Sequence, residues 1–175
     1  MARSFILGAA ALLLASAAQA QAPAPVAGAP PPAPPRARGP ALALAVELAQ
    51  TAQATCVTNG YKTTALIVDS AGVPVVMLSG DGAAERTQGV ALGKTMVALK
   101  YKVDSGVIAD RANTDAALKA ELAADPKIGQ ARRGAVLLKV GADIIGAVAV
   151  SGAPGGDKDE VCVKAGIDKV ASRLK

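Results

Sequence analysis

Few side chains in this sequence can do chemistry, and the absent ones narrow its function as much as those present. The chain of 175 residues contains no histidine. That removes Ser-His-Asp and Cys-His catalysis, histidine-ligated zinc and histidine-ligated iron from a single chain. Soft or phenolate iron ligands remain in Met77, Met96, Tyr61 and Tyr101, all of which serve equally well as core filling. Lys94 stands among Val90, Ala91, Met96, Val97 and Ala98, so it is either a cation buried beside a pocket or a lysine that snorkels to solvent. Two glycine-bearing stretches precede predicted helices. In Ser79-Gly80-Asp81-Gly82-Ala83 the glycines permit close backbone approach by a ligand, and Asp81 is placed to cap the next helix. Gly152-Ala153-Pro154-Gly155-Gly156 has the form of an anion cradle, but Asp157, Asp159 and Glu160 follow at once and would repel phosphate. These acids favour a structural linker; a hard cation held with backbone carbonyls is the alternative, although the spacing is not that of an EF-hand loop. No paired carboxylates, nucleophile with its base, or metal cluster stands out, so the residues alone assign no enzyme activity.

The two cysteines, Cys56 and Cys162, fall on predicted helices at opposite ends of the domain. In an oxidising compartment an even count invites a disulfide, and two buried free thiols are the alternative. Closing a loop of about a hundred residues would stabilise the fold by roughly 4 to 5 kcal/mol. With two Tyr, one Phe and no Trp the chain lacks the aromatic platforms on which nucleic-acid binders stack bases.

These residues sit on a chain with three compositional zones. Met1-Ala2-Arg3, an apolar run of about eleven residues from Phe5 to Ala15, and Ala18-Gln19-Ala20 read as a secretory signal over residues 1–20, cleaved after Ala20. A run this short falls below the roughly 20 residues that span hydrocarbon. The expected location is therefore periplasmic or secreted. Residues 21–40 hold eight of the eleven prolines and almost no large apolar side chain, which predicts an extended tether. The remaining 41–175 carries 16 basic and 14 acidic residues of alternating sign, so the whole-chain excess of 19 over 14 overstates attraction to an anionic polymer. Lys100-Tyr101-Lys102 and Arg132-Arg133 are the densest basic spots and read as solvated surface.

Within 41–175 the pattern predicts a helix over 41–58, strands over 63–68 and 73–78, a central helix over 84–103 and another helix over 114–124. Strands over 135–140 and 144–150 and a final helix from 157 complete the series. Asp69-Ser70-Ala71-Gly72 and Gly141-Ala142-Asp143 supply the hairpin turns, and Asn113 or Thr114 the cap of the 114–124 helix. Two hairpins wrapped by helices predict a single α+β domain with a mostly antiparallel sheet. Residues 134–150 are apolar enough to suggest a membrane span, but Lys139, Gly141 and Asp143 interrupt them, which favours a buried hairpin.

The run Thr64 to Val76, then Asp81-Gly82-Ala83, Ala91 with Lys94, and Ile145 to Ala153 with Asp159 resembles the GlcG/HbpS family of haem-binding and haem-degrading proteins. The resemblance covers roughly 41–172. It implies a helix-flanked antiparallel sheet, a homo-oligomer, and an exported protein whose ligand is haem or a related tetrapyrrole. On that view Asp81, Lys94, Arg133 and Asp159 are the ligand-binding positions, with Lys94 and Arg133 pairing with haem propionates. The axial candidates are Tyr101, Met96, Met77 or a hydroxyl such as Thr95, with no protein ligand as the remaining alternative. Departures fall beside the implied pocket: Ser79-Gly80 replaces an Arg-Met pair, Thr95 follows Lys94 where the family has Ala, Ala149 replaces a glycine, and only Gly134 remains of a Gly/Pro cluster. Two other functions are consistent with the sequence. One is a small-molecule sensory or assembly module of the envelope without haem, its tether meeting a protein partner; the other is an enzyme that degrades haem or acts on a small organic acid.

Overall fold

A computed structural model describes residues 37–175; the signal read over 1–20 and most of the tether lie outside the described residues. The first helix, α1 (Leu42–Thr58), is built from Ala-rich sequence of high helix propensity. It buries Ala45, Leu48, Ala49, Ala52, Gln53 and Cys56, a stripe at three- and four-residue spacing. It stops where Gly60 takes the left-handed conformation, φ 77°, and Tyr61 N–H closes back on Cys56 O at 3.0 Å.

Strands β1 (Thr64–Asp69) and β2 (Pro74–Ser79) form the first hairpin, and β3 (Ala135–Val140) and β4 (Asp143–Ser151) the second. The two hairpins join through β1 and β4, giving a four-stranded sheet of order β2-β1-β4-β3 with every neighbour antiparallel. This explains the composition of the strands. β1 and β4 are central and covered on both faces, so they read as nearly unbroken apolar runs, whereas edge strand β2 mixes exposed and half-buried positions and fully buries none. The apolar stretch over 134–150 is thus a buried hairpin. Among the described residues no helix is long and apolar enough to cross a membrane.

One face of the sheet, with Ala65, Ile67, Val148 and Val150, packs against α1 and the last helix, α5 (Gly156–Val170). The opposite face, with Leu66, Val68, Leu137, Ala147 and Ala149, packs against α2 (Arg86–Tyr101) through Ala91 and Ala98. Successive β1 side chains alternate between these layers, as the period of two requires. Two short helices, α3 (Ser105–Ala112) and α4 (Ala116–Ala124), cover the far flank of α2 around Val97, Ile108 and Leu122.

The structure corrects several boundaries. The helix expected to run to Val103 ends at Tyr101, because Lys102 turns left-handed at φ 56° and a separate helix, α3, begins at Ser105. That restart is fixed to the sheet: Leu137 N–H donates to Asp104 Oδ1 at 3.0 Å and Ala135 N–H to Ser105 Oγ at 2.9 Å. Asp81 does not cap α2, which starts at Arg86 with no side-chain cap. The α4 cap is Asp115, whose Oδ1 accepts Leu118 N–H at 2.9 Å, and not Asn113 or Thr114. Ordered contacts begin within the stretch read as tether. Arg38 and Ser70 exchange hydrogen bonds of 2.8 Å, and the Arg38 guanidinium pairs with Asp143.

Candidate functional site

Where α2 crosses the end of β4 and the first turn of α5, a lysine and an aspartate are buried together. Lys94 Nζ donates to Asp159 Oδ2 at 2.6 Å and to Val150 O at 2.7 Å, while Asp159 Oδ1 accepts Ala153 N–H at 3.0 Å. Both side chains are under 5% exposed, at 3% and 4%. Burial is the largest influence on each: it pushes the Lys94 amine below 10.5 and the Asp159 carboxyl above 3.8, with each partner's charge opposing the shift. The pair has room only because residue 134 is glycine. At φ 113° its missing Cβ would lie 2.8 Å from Lys94 Nζ and 2.8 Å from Asp159 Cβ.

Beside the pair opens a hollow of about 460 Å³. Its walls are α2 (Arg86, Thr87, Val90), Arg132 and Arg133 ahead of β3, and the glycine-rich stretch from Ser151 to Gly156. A smaller hollow of about 250 Å³ shares Val90 and Arg132 and runs past Gly89 to Ile128. Arg133 is half-buried and engaged, donating to Asp110 Oδ2 at 2.5 Å and Glu160 Oε2 at 3.3 Å, contacts that raise its pKa further. Arg86 and Arg132 are exposed, and neither pairs with a carboxylate among the described residues. Arg132 is close enough for its charge to help lower Lys94. The acids expected to repel an anion are therefore mostly neutralised: Asp159 by Lys94, and Glu160 by Arg133 and by Lys164 at 2.7 Å.

Residues 41–168 match the family model described as haem degrading protein HbpS-like. The chain belongs to the HbpS-like family. The fold agrees with solved HbpS-like structures. A double mutant of HbpS from Streptomyces reticuli is 25% identical with a TM-score of 0.69, the match covering 86% of this chain and 99% of that one. Protein ORFY of Klebsiella pneumoniae is 20% identical with a TM-score of 0.69, covering 77% and 92%. A PduOC complex with haem is 17% identical with a TM-score of 0.68, covering 78% and 97%. No curated protein sequence matches the chain.

Of the positions that the HbpS-like resemblance singled out, Lys94, Arg133 and Asp159 meet at the larger hollow. Asp81 does not. It is exposed and lies with Tyr61 and Lys62 at a separate hollow of about 280 Å³. The axial candidates also lie elsewhere: Tyr101 donates its hydroxyl to Glu121 Oε1 at 2.8 Å, Met96 packs against the turn at Gly72, Met77 is on edge strand β2, and Thr95 Oγ1 donates to Leu92 O at 2.8 Å. Cys56 and Cys162 are joined, with Cα atoms 5.6 Å apart, which ties α1 to α5. Sequence reasoning missed Arg86 altogether and took Arg132 for solvated surface. Only the doublet Arg132-Arg133 hinted at a basic wall. Among the described residues no group of three or more His, Cys, Asp or Glu side chains can hold a metal ion.

Proposed function

We propose that this protein binds haem or a related tetrapyrrole after export, and holds it without degrading it. The observation that carries the reading is the pair of unengaged guanidinium groups, Arg86 and Arg132, on the wall of a hollow in a member of a haem-related family. Guanidinium forks match carboxylates in two-point geometry, so these two would hold the propionates, and Val90 and Ile128 would meet the apolar ring. The haem complex of the PduOC neighbour, which shares the fold, is consistent with that use. Iron, when bound, supplies redox chemistry. The titratable side chains deeper in the hollow, Lys94, Asp159 and Arg133, are each engaged in ion pairs, so none of the three stands there as an unpaired acid or base. That favours a carrier over an enzyme.

Export is supported by the residue pattern of 1–20 and by the Cys56–Cys162 bond, which suits an oxidising compartment. Assembly into a homo-oligomer belongs to the proposal too, with exposed Val73 and Met77 around open edge strand β2 as surface to bury. The test is an absorbance titration of the mature chain, from Gln21 onward, with haem. A saturable Soret band, with haem recovered intact after incubation with a reductant and oxygen, is expected. A featureless titration overturns the reading, and release of iron from the ring turns the carrier into an enzyme.

A further inference from the structure

We infer that this protein recognises its tetrapyrrole through the carboxylates and not through the metal, so that a metal-free porphyrin occupies the same site as haem. The inference rests on the tetrapyrrole reading above and adds how the ligand is read. Protein ligands to haem iron are histidine, thiolate, methionine and tyrosinate. The chain has no histidine, and both its cysteines are joined in the disulfide. Tyr101, Met96 and Met77 do not line the hollow, and Tyr61 lines a different one. The oxygens and amine that do line the wall are occupied: Lys94 and Asp159 by each other, and Thr87 Oγ1 by Ala84 O at 2.6 Å and Thr64 Oγ1 at 2.8 Å. Ser151 is a neutral alcohol.

The charges point the other way. With Lys94 balanced by Asp159, and Arg133 by Asp110 and Glu160, the lining keeps two unpaired cations, Arg86 and Arg132, against one unpaired acid beside it, the exposed Asp157 on the first turn of α5. A guanidinium does not lose its proton and cannot ligate a metal, but it binds carboxylate in a charge-assisted fork. Two such cations balance one dicarboxylate. The porphyrin propionates are that dicarboxylate whether or not the ring holds iron.

Parallel titrations of the mature chain with haem, metal-free protoporphyrin and protoporphyrin dimethyl ester test this. Haem and the free acid should bind with dissociation constants within about threefold of each other, and the ester at least about tenfold more weakly. Arg86→Ala and Arg132→Ala, both at exposed positions, should each weaken haem and the free acid alike by about tenfold or more. Haem binding without porphyrin binding, or an ester that binds as well as the acid, overturns the inference while leaving the haem reading intact. If neither haem nor porphyrin binds, the haem reading itself falls.

Discussion

On the face of the sheet that carries α1 and α5, the contacts are close and mostly apolar. Gly166 of α5 lies so near α1 that a Cβ there would fall 2.7 Å from Leu48 O, and Cys56 and Cys162 cross-link the two helices. The buried polar side chain of α1, Gln53, is fully occupied by Thr63 and by Leu78 O, at 2.7 to 2.8 Å. On the α2 face the same kind of small apolar residue gives way, at one end, to a buried ion pair, a hollow and two free arginines. One helix serves both faces. α5 puts Cys162 and Val163 into the closed layer and Asp159, one turn earlier, under Lys94. The closed face therefore holds in place the helix that the open face uses, which suggests separable costs: stability on one side, ligand recognition on the other.

The largest expected effect tests the closed face. Replacing both cysteines, Cys56→Ala with Cys162→Ala, opens a loop spanning 106 positions and should lower stability by about 4 to 5 kcal/mol in chemical denaturation. Porphyrin affinity of the still-folded protein should stay within about threefold of wild type. A large loss of affinity would show that the faces are not separable.

Next comes the ion pair. Asp159→Ala leaves the Lys94 ammonium buried without a counter-ion and should cost about 3 to 5 kcal/mol, whereas Lys94→Met combined with Asp159→Leu should recover most of the loss. If the double variant is no better than the single, the pair is doing more than compensating its own burial.

The division between faces also sets what the sequence could show. Short β-branched and aliphatic runs bounded by turn chemistry predict both hairpins and the antiparallel α+β class, because a strand-turn-strand unit obeys local rules. The junction of β1 with β4 is a contact between residues some eighty positions apart, on which local pattern is silent. Helix α3 was hidden because its eight residues include Ser105 and Gly106 and are held by Asp104 and Ser105 on the sheet. In the site, Lys94 was legible as a charge in an apolar run and Asp159 through family resemblance. Arg86 and Arg132 were not legible, since an exposed arginine looks the same in sequence whether or not a carboxylate stands beside it.

A smaller effect separates backbone conformation from crowding. Gly134→Ala meets both a left-handed φ of 113° and contacts of 2.8 Å with the ion pair, and should cost about 1 to 3 kcal/mol or more. Gly60→Ala meets a similar φ of 77° with nothing within 4 Å, and should cost about 1 kcal/mol. Equal costs would mean that the ion pair yields to a methyl group, and that the hollow is softer than its packing implies.

The smallest effect concerns the exposed pairs, and it sharpens the comparison by being the same in both regions. Beside the closed face, Arg173 donates to Glu47 Oε1 at 2.8 Å and holds that carboxyl below its ordinary 4.5. Beyond α2, Lys100 at 3.0 Å and the Tyr101 hydroxyl do the same for Glu121. A carboxyl with a lowered folded value binds fewer protons in the native than in the unfolded state. Its stabilising contribution is thus present above 4.5 and is lost as pH falls through the lowered value. Arg173→Ala and Lys100→Ala should each shift the urea midpoint slightly at neutral pH, and the gap to wild type should close in acid for both. A gap that persists in acid at one position would mean that the side chain contributes there by packing and not by charge. The distinction between the faces would then extend from the buried chemistry to their rims.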